Sequence, residues 1–217
     1  IAHQWRQPLT SLSLLLDDLR LRIDEGERVE TTELSEYVQD AQHLIQHMSG
    51  TVNDFRSIYQ ESPESRSIRL RAVVDQALSI ADGTLKASGI AVEIDDQNPD
   101  VVLLARPNEL CHVLLNLVSN AQAVVVEREV ATPRITIRLS TEPGVHVIEV
   151  EDNGGGVDPA IAPRLFEPFA TSRTAGTGLG LYMSRRLVVE RFGGRLERCE
   201  GKHGACFRIE LPCSAPQ

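Results

Sequence analysis

The sequence is short of basic residues and has neither a long apolar run nor a close pair of cysteines. Its 217 residues carry 22 Lys and Arg against 31 Asp and Glu, which gives a formal net charge of −9. This acidic balance argues against a general binder of nucleic acid or of anionic membranes, although a local basic pocket remains compatible with it. The best apolar run, Leu12–Leu16, is far shorter than the about 20 residues of a membrane helix, so we expect no spanning segment and no membrane contact by this chain.

The four cysteines, Cys111, Cys199, Cys206 and Cys213, include no C-x-x-C pair. Zinc sites usually take their ligands from such close pairs, so a zinc site is not favoured. The cysteines are therefore interpreted as reduced, structural thiols of a cytoplasmic protein. The sequence opens on Ile1 without a signal peptide or an initiator Met, so we expect a fragment of a longer parent, which the sequence leaves either soluble or membrane-anchored.

The first 60 residues have the periodicity of two helices. Apolar residues recur in steps of three and four from Leu9 to Ile23 and again from Leu34 to Tyr59. One hairpin cannot bury both apolar stripes, whereas two hairpins related by a two-fold axis can. The sequence thus predicts a helical hairpin over residues 1–62 that dimerises as a four-helix bundle, with a second domain over residues 63–217.

The second domain has a mixed pattern, and the 41% of hydrophobic residues suffices for a packed core. Helical patterns cover 72–87, 107–127 and 179–192, and strand patterns cover 90–94, 101–104, 135–139, 145–150, 195–199 and 205–211. This combination predicts an α+β fold in which helices and a mostly antiparallel sheet form a two-layer α/β sandwich.

Two glycine-rich segments are candidates for binding a ligand. Asp152-Asn153-Gly154-Gly155-Gly156 follows a predicted strand directly, and its glycines allow backbone to approach a ligand closely. Asp152 can accept a hydrogen bond from an exocyclic amine such as that of adenine, although a tight turn alone would explain the segment. The segment Gly176–Leu181 opens a predicted helix, where backbone amides form a site for phosphates.

A pair of asparagines adds a third candidate feature. Asn116 and Asn120 are four residues apart and therefore share one face of the predicted helix. Their carboxamide oxygens are hard ligands of the kind that Mg²⁺ prefers. For either residue alone, a buried structural amide is the simpler interpretation.

Together these segments resemble the sensor histidine kinases. The chain matches their N box at Asn108–Ala121, their first glycine box at Asp152–Gly156, their F box at Leu165–Phe169 and their second glycine box at Gly176–Leu181, in the family's order and approximate spacing. The resemblance covers about residues 66–212 and implies an ATP-binding domain of the GHKL superfamily.

The start of the chain, Ala2–Leu9, looks like the phosphoacceptor H box of the same family. The resemblance implies a homodimeric protein histidine kinase that phosphorylates His3 from ATP and transfers the group to an aspartate of a response-regulator receiver domain. Gln4 stands where many members carry an acidic candidate base, and the H-Q-W-R-Q-P form exists as a subgroup. Gln7 lies one turn after His3, where some families place a residue that orients water for regulator dephosphorylation.

The resemblance also implies roles in nucleotide binding. Asp152 is assigned to adenine, and Asn116 and Asn120 are assigned to Mg²⁺ and phosphates. Arg173 is either a lid cation toward the γ-phosphate or a solvated loop arginine. The remaining expected nucleotide-binding residues belong to the two glycine boxes: Gly154, Gly156, Gly176, Thr177, Gly178, Leu179 and Gly180.

Two other interpretations come from different functional classes. A GHKL ATPase that hydrolyses ATP carries a catalytic Glu four residues before the metal-binding Asn, where this chain has Asn116. A non-catalytic histidine phosphotransferase scaffold would tolerate a degenerate nucleotide domain, whereas both glycine boxes are intact here. Many kinases have Lys or Arg soon after the second Asn; the run Ala121–Val124 lacks one, which leaves one phosphate contact missing or supplied by the lid.

Overall fold

The computed structural model describes residues 16–24, 30, 34, 37, 38, 41, 65–173 and 178–213. These residues fall into two compact units, one made of the described residues up to 41 with 171–173, the other of 65–170 with 178–213. The expected domain boundary between residues 62 and 63 lies outside the described residues and stays a prediction.

The first unit contains helical residues on both sides of the expected hairpin turn. Residues 16–24 are helical, as are residues 34, 37, 38 and 41. The Tyr37 hydroxyl donates a hydrogen bond to the Asp18 carboxylate, so the two helical stretches are in contact. The complete hairpin and its dimeric four-helix bundle stay predictions.

The second unit contains seven strands and three helices within residues 65–170 and 178–213. In chain order they are β1 (Arg66–Arg69), α1 (Leu70–Ala87), β2 (Ala91–Asp96), β3 (Val102–Ala105), α2 (Pro107–Glu127), β4 (Arg134–Glu142), β5 (Val145–Asp152), α3 (Gly180–Phe192), β6 (Arg195–Cys199) and β7 (Cys206–Pro212). A 3-10 turn at Ala162–Arg164 lies between β5 and α3.

The sheet confirms the expected α/β architecture. Its five strands follow the order β2-β4-β5-β7-β6, with β2 and β4 parallel and the other neighbours antiparallel. Strands β1 and β3 form a separate antiparallel pair. The sequence pattern missed β1 because its four residues include a single apolar one, Ile68, which pairs opposite Leu103.

The hydrophobic core lies on one face of this sheet. Ile137 on β4 and Val150 on β5 are paired and fully buried, and Leu114 and Leu117 of α2 belong to the same core. Each such side chain contributes about 1.5–3 kcal/mol when it leaves water. The length and apolar composition of α2 would suit a membrane span, but half of it is buried inside this unit, as a core helix is.

Charged side chains line the opposite face of the sheet. Arg138, Glu149 and Arg208 are neighbours on β4, β5 and β7, and the Glu149 carboxylate lies 3.6 Å from Arg138 and 3.2 Å from Arg208. A sheet with one apolar and one charged face is typical of a two-layer arrangement.

The expectation of four reduced thiols is wrong for one pair of cysteines. Cys199 and Cys206 face each other across β6 and β7 and form a disulfide, whereas Cys111 and Cys213 are free. The Cα atoms of Cys199 and Cys206 are 5.2 Å apart, within the range that a disulfide spans. Hairpin pairing brings the two residues together, which spacing along the sequence did not reveal.

Candidate functional site

Asp152 is a buried carboxylate held by backbone groups from two loops. It ends β5 and is 3% exposed. Its Oδ1 accepts hydrogen bonds from the backbone N–H of Gly154 at 2.7 Å and of Ala205 at 3.2 Å. The Asp152 N–H in turn donates to the Ala205 carbonyl oxygen at 3.0 Å. Both side-chain bonds use the same oxygen, so the carboxylate has a fixed orientation.

Burial raises the pKa of Asp152 above its ordinary value, since desolvation disfavours the charged form. The two backbone hydrogen bonds and the positive charge of Arg128 act in the opposite direction without cancelling the effect of burial. A buried carboxylate of this kind gains most from a ligand that donates a hydrogen bond to it.

The loop after Asp152 requires glycine at consecutive positions. A Cβ at Gly154 would lie 2.6 Å from Val124 Cγ1, and Gly155 and Gly156 both have φ of +86°. Other side chains rarely adopt that backbone conformation. The loop is therefore a tight turn, and it is also packed closely against α2.

Two side chains hold this loop from outside. Asn153 donates to the Thr132 carbonyl at 2.7 Å and accepts from the Arg134 N–H at 2.9 Å. Arg128, directly after α2, donates from Nη1 to the Gly154 carbonyl and, at 3.0 Å, to the Gly156 carbonyl. Sequence reasoning missed Arg128 because it lies outside all four recognised motifs.

The loop between β6 and β7 completes the surroundings of Asp152. A Cβ at Gly204 would overlap the Asp152 backbone oxygen and Oδ1, so only glycine fits there. The adjacent Glu151 accepts from the backbone N–H groups of Lys202 and His203 and forms an ion pair with Arg138. Burial alone would raise the pKa of Glu151, but the Arg138 and backbone hydrogen bonds lower it below its ordinary value.

The two asparagines have different surroundings. Asn116 donates from Nδ2 to the Ser184 hydroxyl at 2.8 Å, and its Oδ1 lies so close to Gly180 that a Cβ there would overlap it. Asn116 therefore joins α2 to the start of α3. The Nδ2 atom of Asn120 is buried and finds no hydrogen-bond partner among the described residues, which leaves Asn120 suited to a ligand.

The second glycine box contains a backbone hydrogen bond, here called the clasp, that joins the two ends of the preceding segment. The Phe169 N–H donates to the Gly178 carbonyl at 2.9 Å, so the chain leaves this unit and returns to it at one place. Gly178 has φ of +64°, and a Cβ on it would overlap the Phe169 backbone. Leu179 is buried and precedes Gly180, the first residue of α3.

Several expected site residues are not part of this arrangement. His3, Gln4, Gln7, Gly176 and Thr177 lie outside the described residues. Arg173 belongs to the other compact unit, where its backbone N–H donates to Thr171 Oγ1 at 3.0 Å. Within the described part of the chain, no three His, Cys, Asp or Glu residues cluster as a metal site would need.

Residues 105–215 match the family described as histidine kinase-, DNA gyrase B-, and HSP90-like ATPase. Over its whole length the chain is 31% identical to the two-component sensor PprA of Pseudomonas aeruginosa, of which it covers 24%. It is 27% identical to the sensory histidine kinase/phosphatase NtrB of Rhizobium meliloti over 99% of the chain and 57% of that relative. The chain thus spans between a quarter and about three fifths of the length of these two relatives.

A solved structure of histidine kinase ThkA in complex with response regulator protein TrrA shares the fold. The likeness covers 98% of this chain and 60% of the solved one, with a TM-score of 0.74 and 19% sequence identity.

The contact between Gly204 and Asp152 predicts that Gly204→Ala lowers the free energy of unfolding by about 1–3 kcal/mol, because the added methyl group overlaps a buried carboxylate. Gly83→Ala is the matched control. Gly83 lies in α1 with nothing within 4 Å of an added Cβ, and Ala is a better helix former, so its stability should hold or rise. Urea denaturation measures both; equal stability of the two variants would contradict the prediction.

Proposed function

Since the chain belongs to the histidine kinase-, DNA gyrase B-, and HSP90-like ATPase family, we propose that it is the kinase core of a two-component system. It phosphorylates His3 from ATP and passes the phosphoryl group to an aspartate of a response-regulator receiver domain. The observation that carries the proposal is the buried Asp152 carboxylate, fixed through one oxygen between two glycine-containing loops.

Asp152 recognises the base of the nucleotide. With Oδ1 occupied by the Gly154 and Ala205 amides, the other carboxylate oxygen is the acceptor for the exocyclic amine of adenine. Gly154 and Gly156 keep the loop clear of side chains, which lets the base approach the backbone.

The phosphates lie toward the start of α3. Gly178 and Leu179 directly precede that helix and Gly180 is its first residue, so their backbone amides lie at an N-terminus, which favours negative charge. On the resemblance to the sensor histidine kinases, we also propose Gly176 and Thr177 as phosphate-binding residues and Arg173 as the cation of the lid.

The Nδ2 atom of Asn120, which has no hydrogen-bond partner among the described residues, fits the needs of a Mg²⁺–nucleotide complex, since a carboxamide offers the metal an oxygen and the phosphates an N–H donor. Mg²⁺ offsets the charge that spreads over the phosphates during transfer. Asn116 is a second candidate metal ligand: its bond to Ser184 holds α2 and α3 together and uses Nδ2, whereas the metal would be coordinated by Oδ1.

His3 is the phosphoacceptor. A ring nitrogen with a free lone pair forms the N–P bond while the bond from phosphorus to the ADP oxygen breaks. In the second step the N–P bond breaks as an aspartate oxygen of the receiver attacks. Neutral imidazole does not need deprotonation before attack, so Gln4 in place of an acidic residue is compatible with transfer.

Regulator dephosphorylation is a second candidate activity. Gln7 is four residues after His3 in the sequence and carries an amide able to orient a water molecule. The relative NtrB, with which 99% of this chain aligns, is described as a sensory histidine kinase/phosphatase. Hydrolysis of ATP alone is less favoured, because Asn116 stands at the position of the hydrolytic Glu and its Nδ2 bonds Ser184.

The kinase acts as a homodimer in the cytoplasm, with no nucleic acid or membrane bound by this segment. Leu16, Ile23 and Leu34 belong to the apolar seam of the expected hairpin, and each is at least 44% exposed in the single chain. Burial of such a seam against a second copy gives a four-helix bundle.

Incubation with labelled ATP and Mg²⁺ tests the phosphoacceptor. We expect the wild-type chain to acquire acid-labile label and His3→Ala to acquire none, because no other side chain is proposed to attack phosphorus. His47→Ala is the control and should label normally. Label that persists in His3→Ala would exclude the assignment.

Asp152→Asn tests base recognition. The amide oxygen can retain the two backbone hydrogen bonds, while its NH₂ group meets the adenine amine as a second donor. ATP affinity should fall about 10- to 100-fold, in keeping with an unpaired buried donor. Inosine triphosphate has a carbonyl in place of that amine and should lose less affinity; calorimetric titration with both nucleotides measures the difference, and unchanged ATP affinity would exclude the pocket.

A charge on the seam tests the dimer. Leu16→Glu should shift the chain toward monomer, since a carboxylate would be buried between helices. Leu21→Glu is the matched control, because Leu21 lies on the same helix, off the seam, with 57% exposure against 54% for Leu16. Light scattering after size exclusion gives the mass; two variants with equal mass would contradict the proposed seam.

A further inference from the structure

Arg128 makes an unusual pair of contacts for an exposed arginine. It follows the last residue of α2, and one nitrogen, Nη1, donates to the carbonyls of Gly154 and Gly156, 26 and 28 residues further along the chain. A Cβ on Gly155 would lie 3.2 Å from the same nitrogen. The guanidinium thus lies across the whole glycine segment.

This contact bears directly on Asp152. Gly154 accepts the Arg128 bond through its carbonyl and donates its own N–H to Asp152 Oδ1 at 2.7 Å. The beginning of the loop is held separately by Asn153. The three glycines that follow Asn153 have wide backbone freedom. Arg128 bonds the carbonyls of the first and the last of them, Gly154 and Gly156.

Most exposed arginines in this unit make contacts of a different kind. Arg186, for example, pairs with Glu190 one turn along its own helix, an arrangement that contributes little to stability. Arg128 instead joins the end of α2 to a loop after β5 through neutral acceptors. Its charge also favours the ionised form of Asp152 and lowers the pKa of that carboxyl, against the larger effect of burial.

We infer that Arg128 is a positioning residue for base recognition: it fixes the first glycine box so that the Asp152 carboxylate keeps the orientation that selects adenine. The inference rests on the proposed function, in which Asp152 receives the adenine amine. It adds a residue outside the four sequence motifs to the determinants of nucleotide specificity.

Nucleotide selectivity, measured in the full chain, distinguishes an effect of Arg128 on base recognition from a general loss of stability, which would weaken the binding of every nucleotide. Titrations with ATP and with inosine triphosphate give two affinities, and because the two bases differ only at N1 and C6, their ratio reports recognition of that edge of the base. Arg128→Met should lower ATP affinity about tenfold and leave inosine triphosphate affinity within about twofold, so that the ratio falls. Arg128→Lys should recover part of the ratio, because one ammonium can donate to both carbonyls.

Arg186→Met is the matched control and should keep the wild-type ratio. If Arg128→Met loses both nucleotides equally, or keeps the wild-type ratio, the inference is overturned. If that variant fails to fold by circular dichroism, Arg128→Gln, with a shorter neutral N–H donor, is held to the same criterion. A wild-type chain that does not prefer ATP would instead overturn the proposed function, so the two failures are distinguishable.

Discussion

The buried carboxylate of Asp152 brings the parts of the candidate site together. A charge removed from water must find compensating hydrogen bonds, and Asp152 finds them in the amides of Gly154 and Ala205. To supply those amides, the loop after β5 must turn back on itself, and the loop before β7 must pass close to β5. Because the two loops lie so close to Asp152, a glycine is required at position 204, and glycines are also required after Asn153. The geometry of the loops around Asp152 is in this way a consequence of burying one acidic group.

Helix α2 serves both the core and the site. Its inner side packs Leu110, Leu114 and Leu117 against the sheet, which fixes its position relative to β4 and β5. Asn116 and Asn120 lie on the same helix, and Arg128 follows its end. Because the helix is rigid and apolar on one side, its polar residues reach α3 and the glycine loop at fixed distances. The packing of the core and the geometry of the candidate site therefore depend on one element.

The sequence predicts the regular elements well where hydrophobic periodicity is strong. The bounds of α2 and of β6 agree to the residue, and the antiparallel character of the sheet follows from the alternation in β4 and β5. Local motifs also locate Asp152 and its glycines. Contacts between distant segments could not be predicted, because they depend on strand register and helix placement. Examples are the Asn116–Ser184 bond, the fit of Gly204 against Asp152 and the Cys199–Cys206 disulfide. Arg128 belongs to this second group, since nothing near it in the chain indicates its partners.

The hydrogen bond between Phe169 and Gly178 closes the segment that lies between these two residues. The geometry of the sandwich therefore does not depend on how long that segment is. The entropy of closing a loop grows only with the logarithm of its length, so doubling the number of residues costs about 0.6 kcal/mol. Insertions and deletions between the two clasp residues should therefore change the free energy of folding little. The segment between the two clasp residues can therefore diverge in length and composition between related chains while the core of the sandwich keeps its structure.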